Sequence, residues 1–197
     1  MSGVSPHVIA VAGPNGAGKT TLAPFLIRDD YGLMEYVNAD SIAHGLAAFS
    51  PESVAFEAGR IMLKRIHALA AQNLSFAFET TLASRSYARL ITRLRAKGYE
   101  FHLIYVCLNS ADLAVQRVRE RVRRGGHDVP EEVVRRRYVK GARNFFAVYS
   151  GLADTWGIYD NSTQGDPAEI AIKNKNTPPE ILREDLWQRL REMTEQV

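Results

Sequence analysis

Two hydrophobic rhythms alternate along the chain. Short apolar runs rich in β-branched and aromatic residues occupy residues 8–12, 33–38, 74–78, 101–108 and 155–160, the length and composition of buried strands. Between them, apolar residues recur every three or four positions, as on helices with one buried face. Val54, Ala58, Ile61, Met62, Ile66 and Leu69 form one such stripe, with Ser50 as cap and Pro51 at its first position. Leu22, Phe25 and Leu26 begin another. A helix over residues 84–97 should stop at Gly98, one over 111–124 at the Gly125-Gly126 pair, and one over 131–149 follows. Residues 168–173 alternate as an added edge strand, and Pro178-Pro179-Glu180 reads as the opening of a final helix. Strand and helix in alternation predict an α/β fold: a mostly parallel sheet of five or six strands, flanked by helices.

The stretch Gly13-Pro14-Asn15-Gly16-Ala17-Gly18-Lys19-Thr20-Thr21 lies between the first strand and the first helix. That is the context a phosphate-binding P-loop requires. Gly13, Gly16 and Gly18 let successive N–H groups turn toward a phosphate, with Asn15 and Ala17 in the same loop. The following helix adds its positive end, carrying Thr20 and Thr21. Lys19 is placed to reach the β- and γ-phosphates of ATP, and the Thr20 hydroxyl to ligate Mg²⁺. The fold expected is therefore a P-loop NTPase of kinase-like type.

Ligands of open α/β sheets gather at the carboxyl ends of strands. Asp40, Glu79 and the loop at Asn161 follow strands and should converge on the P-loop. Asp40 is a candidate base for an acceptor hydroxyl; its simpler reading is a helix N-cap. Glu79 suits an Mg²⁺-ordering or substrate-holding role, or merely steadies a loop. Thr80 and Thr81 are candidate substrate donors or local caps.

Charge is uneven. The chain carries a formal +3 over 197 residues. Residues 117–143 hold ten Arg or Lys against four Asp or Glu, so the remainder is net acidic. Two basic helices joined by a Gly-Gly hinge suggest a lid at about 117–143. Arg117, Arg121 and Arg124 share one stripe of it and are the candidate catalytic cations. The bland alternative is a solvated helix face. The lone cysteine, Cys107, falls in a strand-like run and reads as packing. No run approaches the length of a membrane span and the N-terminus lacks a leader pattern. The expectation is a single cytoplasmic domain over residues 1–197 with no membrane partner, and nucleic acid is a minor alternative.

These motifs, in this order, resemble the zeta toxin family of P-loop kinases. The resemblance rests on the P-loop, Val37-Asn38-Ala39-Asp40, Phe78-Glu79-Thr80-Thr81 and the Arg-rich segment around Gly125-Gly126-His127-Asp128-Val129-Pro130. It extends over roughly residues 8–145 and is nearest the short single-domain branch. It implies an ATP-dependent kinase that phosphorylates the 3′-hydroxyl of UDP-N-acetylglucosamine. Lys19 then binds the transferred phosphate, Asp40 activates the hydroxyl, and Glu79 and Thr81 match family positions. The first lid arginine is Arg117 or Arg121. The second has no secure match, His127 falling near it and Arg124 being a possible substitute. A glutamate that the toxin branch carries after its second strand is absent around Arg60-Ile61-Met62-Leu63-Lys64. Polynucleotide or antibiotic phosphotransferases, and a non-catalytic ATP-binding module that is the target of an antitoxin-like protein partner, are the other readings.

Overall fold

The computed structural model describes residues 5–29 and 32–195. Met1–Val4 and the side chain of Leu26 lie outside the described set. Among the described residues seven strands form one sheet, in the order β2-β3-β1-β4-β5-β6-β7. β1 (His7–Ala12), β2 (Tyr36–Val37), β3 (Phe76–Thr80), β4 (Glu100–Cys107) and β5 (Thr155–Asp160) run parallel. β6 (Ala168–Lys173) and β7 (Glu180–Ile181) extend the sheet antiparallel.

Successive residues of β1 feed opposite faces, as strand geometry demands. Val8, Ala10 and Ala12 join a core with Phe76, Phe78, Tyr105 and Phe145; Ile9 and Val11 join another with Ala77, Val106, Val118 and Val134. All five of those β1 side chains are fully buried, so the strand reads as continuously apolar because both its faces are covered. The first face carries α3 (Ala55–Ala71), α4 (Ser86–Ala96) and α8 (Glu184–Glu195); the second carries α1 (Lys19–Ala23), α5 (Ala111–Arg123) and most of α6 (Glu131–Asn144). α2 (Ala39–Leu46) packs on α3, and the short α7 (Ser150–Leu152) leads into β5.

Several local expectations are corrected. The sheet has seven strands because Glu180–Ile181, expected to open the last helix, pairs with β6. That segment cannot start a helix while its backbone is engaged in a ladder, so α8 begins at Glu184 and residues 168–173 are not the sheet's edge. β2 shrinks to two residues, and β3 begins two residues later than its apolar run, so Glu79 and Thr80 are themselves strand residues. Pro24 ends regular α-helix after the P-loop, where the chain continues as a π-helical turn to Asp29 and leaves Phe25 exposed. A second π-helical turn, Phe145–Tyr149, closes the long helix expected to reach residue 149. A 3₁₀ turn, Pro51–Val54, precedes α3, and Ser50 makes no side-chain cap. Within the α3 stripe Ala58, Met62, Ile66 and Leu69 are buried, but Ile61 is exposed. Cys107 is buried in β4, and burial pushes its thiol far above the usual range, as packing requires. No helix among the described residues is long and apolar enough to cross a membrane.

Candidate active site

β1 sits where the strand order reverses, with β3 on one side and β4 on the other. The carboxyl ends of these strands therefore open a crevice directly beneath the P-loop. Gly13 leaves β1 with φ 143° and its N–H donates to Thr80 O at 3.2 Å. A Cβ at Gly13 would stand 2.0 Å from Val106 O, so the loop turns here only because the residue has no side chain. Gly18, at φ 82°, opens α1 in the left-handed region. A Cβ there would meet Asn161 Nδ2 at 2.6 Å, and that amide donates to Ala17 O at 2.9 Å. The loop after β5 thus braces the P-loop, as the position of Asn161 led us to expect.

Glu79 is the hub beneath the P-loop. Its Oε2 accepts from Thr20 Oγ1 at 2.9 Å, from Asn38 Nδ2 at 2.6 Å and from the Tyr36 hydroxyl at 2.6 Å, while Oε1 lies 3.5 Å from Lys19 Nζ. Lys19 also donates to Pro14 O at 2.9 Å. Burial holds the Lys19 pKa below its ordinary value, and Glu79 and Asp40 oppose that shift. Burial, followed by the Glu79 charge, pushes the Tyr36 phenol well above its usual value, so its proton stays on the hydrogen bond to Glu79.

Asn38 does two jobs. Its Oδ1 accepts from the N–H groups of Asp40 and Ser41 at 2.7 and 3.2 Å, capping α2, while its amide nitrogen donates to Glu79. The capping role considered for Asp40 therefore belongs to Asn38. Asp40 is left on the first turn of α2 with a half-exposed carboxylate, 3.9 Å from Arg121 Nη1.

The lid arginines divide by partner. Arg117 donates to Asn161 O at 2.7 Å and Ser162 O at 3.2 Å, tying α5 to the loop after β5. Arg121 donates to His127 O at 2.7 Å, and its buried Nε has no partner among the described residues. Arg124, expected beside them, caps the end of α5 and is exposed. The left-handed turn at Gly125 carries the chain away after Arg124, which lines neither cavity described below. His127 Nδ1 stands 3.8 Å from Glu52 Oε2. Much of the remaining basic charge is paired: Arg119 and Arg135 with Glu131, and Arg135 also with Asp112.

Two adjoining cavities share Asn15, Lys19, Asp40 and Glu79. One, about 190 Å³, is lined by Gly16, Gly18, Thr20, Thr21, Arg117 and Arg121. The other, about 240 Å³, is lined by Thr80, Thr81, Ser84, Tyr87 and Arg137. The structure thus brings together every candidate except Arg124; Gly13 and Ala17 shape the loop from behind. Pattern reading passed over Tyr36 and Arg137. Tyr36 looked like strand packing, and Arg137 was one of three consecutive arginines with nothing to distinguish them. A third cavity, about 230 Å³ beneath α8, shares no lining residue with these two.

A central glycine loop, a buried lysine and strand-end carboxylates on a mostly parallel sheet define a P-loop fold of kinase-like, nucleotide-binding type. The chain belongs to the AAA domain family, whose model matches residues 8–139. An uncharacterized protein of Haemophilus influenzae is 29% identical over 130 residues, 66% of this chain and 91% of that protein. Among solved structures, the AvrRxo1-ORF1:ORF2 complex with ATP is similar at TM-score 0.80 and 16% identity, covering 99% of this chain and 65% of the other. A chain of the PezAT chromosomal toxin-antitoxin system of Streptococcus pneumoniae is similar at TM-score 0.65 and 18% identity, covering 100% and 90%. The chain spans just under two thirds of the AvrRxo1 chain, and at these identities both likenesses concern the fold.

Proposed function

We propose that this protein is an ATP- and Mg²⁺-dependent kinase of zeta-toxin type that transfers the γ-phosphate to a hydroxyl of a small acceptor. The observation that carries this reading is the pair of cavities meeting at Lys19, Asp40 and Glu79. The P-loop side takes the triphosphate; the Thr80–Thr81 side takes the acceptor. Lys19, Arg117 and Arg121 face the first and bear charge on the migrating phosphoryl. Asp40, lining both, orients the acceptor hydroxyl and accepts its proton.

The hard oxygen donors Thr20 Oγ1 and Glu79 Oε2, 2.9 Å apart, suit Mg²⁺. Thr20 would hold it directly and Glu79 through water. Bound there, the ion supplies charge neutralisation for the phosphates.

The best candidate acceptor is UDP-N-acetylglucosamine, on the family resemblance. The AvrRxo1-ORF1:ORF2 complex and the PezAT toxin-antitoxin system, among structures of similar fold, support an antitoxin-like protein partner, and the lone buried Cys107 suits a cytoplasmic setting. Purified protein incubated with labelled ATP and a panel of UDP-sugars tests the reading. Transfer to one sugar nucleotide is expected; ATP binding without transfer to any would remove the acceptor assignment.

A further inference from the structure

Among the described residues that line the acceptor-side cavity, Arg137 is the one arginine. α6 delivers it there by a close approach. At Gly141, one turn on, a Cβ would stand 2.5 Å from Thr81 O, so the helix backbone rests against the loop that follows β3. Val134 and Tyr138 are buried on the same helix, and the Tyr138 hydroxyl donates to Leu108 O at 2.7 Å. Arg137 lies on the turn these contacts clamp and reaches across to Asn15, where Nη1 donates to Oδ1 at 3.2 Å.

Its partners differ from those of the ion-paired arginines. Arg95, Arg119 and Arg135 each lie within 3 Å of a carboxylate. Arg137 is half-buried, and among the described residues no carboxylate comes within 4.0 Å of it. Its one hydrogen bond in the set is to a neutral amide. Burial lowers its pKa, though a guanidinium remains charged at any physiological pH. A desolvated cation with most of its five donors uncommitted is costly unless an anion completes it. The phosphates of the nucleotide have Lys19, Arg117 and Arg121 on their own side of the crevice, and Arg137 does not line that cavity.

We infer that Arg137 is the acceptor-binding residue that takes the anionic group of a phosphate-bearing acceptor and sets the preference for it over a neutral one. The planar guanidinium suits two phosphate oxygens at once, a geometry lysine does not reproduce. The Thr80, Thr81 and Ser84 hydroxyls around the same cavity suit a polyol next to that group. This assignment rests on the kinase reading for its biological meaning, but its test does not need turnover.

The protein, saturated with a non-hydrolysable ATP analogue and Mg²⁺, is titrated with N-acetylglucosamine, its 1-phosphate and UDP-N-acetylglucosamine. Wild type should bind the two phosphorylated probes about tenfold or more tighter than the neutral sugar, the scale of one charge-assisted hydrogen bond. Arg137→Gln should shrink that preference to about threefold or less, and Arg137→Lys should restore only part of it. Both variants should keep the wild-type melting temperature and affinity for the analogue. Undiminished preference in Arg137→Gln, loss of analogue affinity in its place, or no binding of either phosphorylated probe to wild type would overturn the assignment. Preference intact in wild type and lost in the variant, with no phosphoryl transfer to any acceptor, would remove the kinase reading and leave Arg137 as an anion site.

Discussion

Glu79 Oε1 stands 3.5 Å from Lys19 Nζ, and both side chains are largely withdrawn from water, at 11% and 6% exposure. The P-loop lysine is thus held by a strand residue that also accepts the Thr20 hydroxyl. A triphosphate must share Lys19 with that carboxylate, and a divalent cation would offset the repulsion between the two anions. Glu79→Gln should therefore raise affinity for metal-free ATP, by about tenfold for a removed anion of this proximity. It should also weaken the stimulation of binding and transfer by Mg²⁺. Titrations with fluorescent nucleotide, with and without Mg²⁺, check this. Equal Mg²⁺ dependence in both proteins would show that Glu79 does not organise the metal.

Asn38 separates two roles that a single substitution usually confounds. Asn38→Ala removes both the α2 cap and a donor to Glu79, and should cost about 1–3 kcal/mol, combining a lost cap with a lost charged hydrogen bond. Asn38→Asp keeps a capping oxygen but sets a second carboxylate against Glu79. Its stability should fall as pH rises through the carboxylate range, whereas the alanine variant should show no such added dependence. Denaturant melts at pH 4 and pH 8 distinguish the two.

Asp40→Asn should leave ATP affinity within about threefold while lowering phosphoryl transfer by about 10²–10⁴, the range expected for a positioned general base. Asp40 lines both cavities, and the cap that would otherwise explain its place on α2 is made by Asn38. Single-turnover transfer with the acceptor that wild type uses provides the measurement. An unchanged rate would return Asp40 to a surface role.

Legibility followed how local the cause was. The P-loop, the strand at 155–160 and the glycine stop at residue 98 depend on neighbouring residues alone, and their chemistry is written consecutively. Asn161 and Glu79 were placed by a topological rule, since strand ends converge whatever lies between them. Glu180–Ile181 failed because Pro-Pro-Glu is a sound helix opening until β6 offers a partner ladder, which no local pattern announces. Arg124 and Arg137 differ from the expected placement for the same reason: Arg137 lines a cavity of the crevice and Arg124 does not. Spacing put Arg124 in the stripe of Arg117 and Arg121, but the turn at Gly125 ends the helix there, while the contact of Gly141 with Thr81, sixty residues back, turns Arg137 inward.

At the opposite end of β4, His102 is buried between His7 and Thr155: its Nε2 lies 2.9 Å from His7 Nδ1 and its Nδ1 2.8 Å from Thr155 Oγ1. Burial, reinforced by His7 and opposed by Glu100 and Asp154, lowers its pKa below 6.5, with Lys175 adding to the lowering. A histidine kept neutral in the fold but free to protonate once unfolded makes the unfolded state bind more protons below pH 6.5. Its contribution to stability is therefore full above pH 6.5 and is lost as pH falls from there through the folded pKa. Glu100, lowered by its hydrogen bond to Lys175, and Asp154, where Arg95 and the Phe101 N–H together outweigh the upward pull of burial, add their own loss further down in the carboxylate range. His102→Gln, which keeps a polar side chain for Thr155, should flatten the pH dependence just below 6.5 and leave the carboxylate step in place. Melting temperatures across pH 4–8 for both proteins read this directly. A wild-type curve as flat as the variant's between pH 5 and 6.5 would show that His102 gains its proton in the fold as readily as outside it.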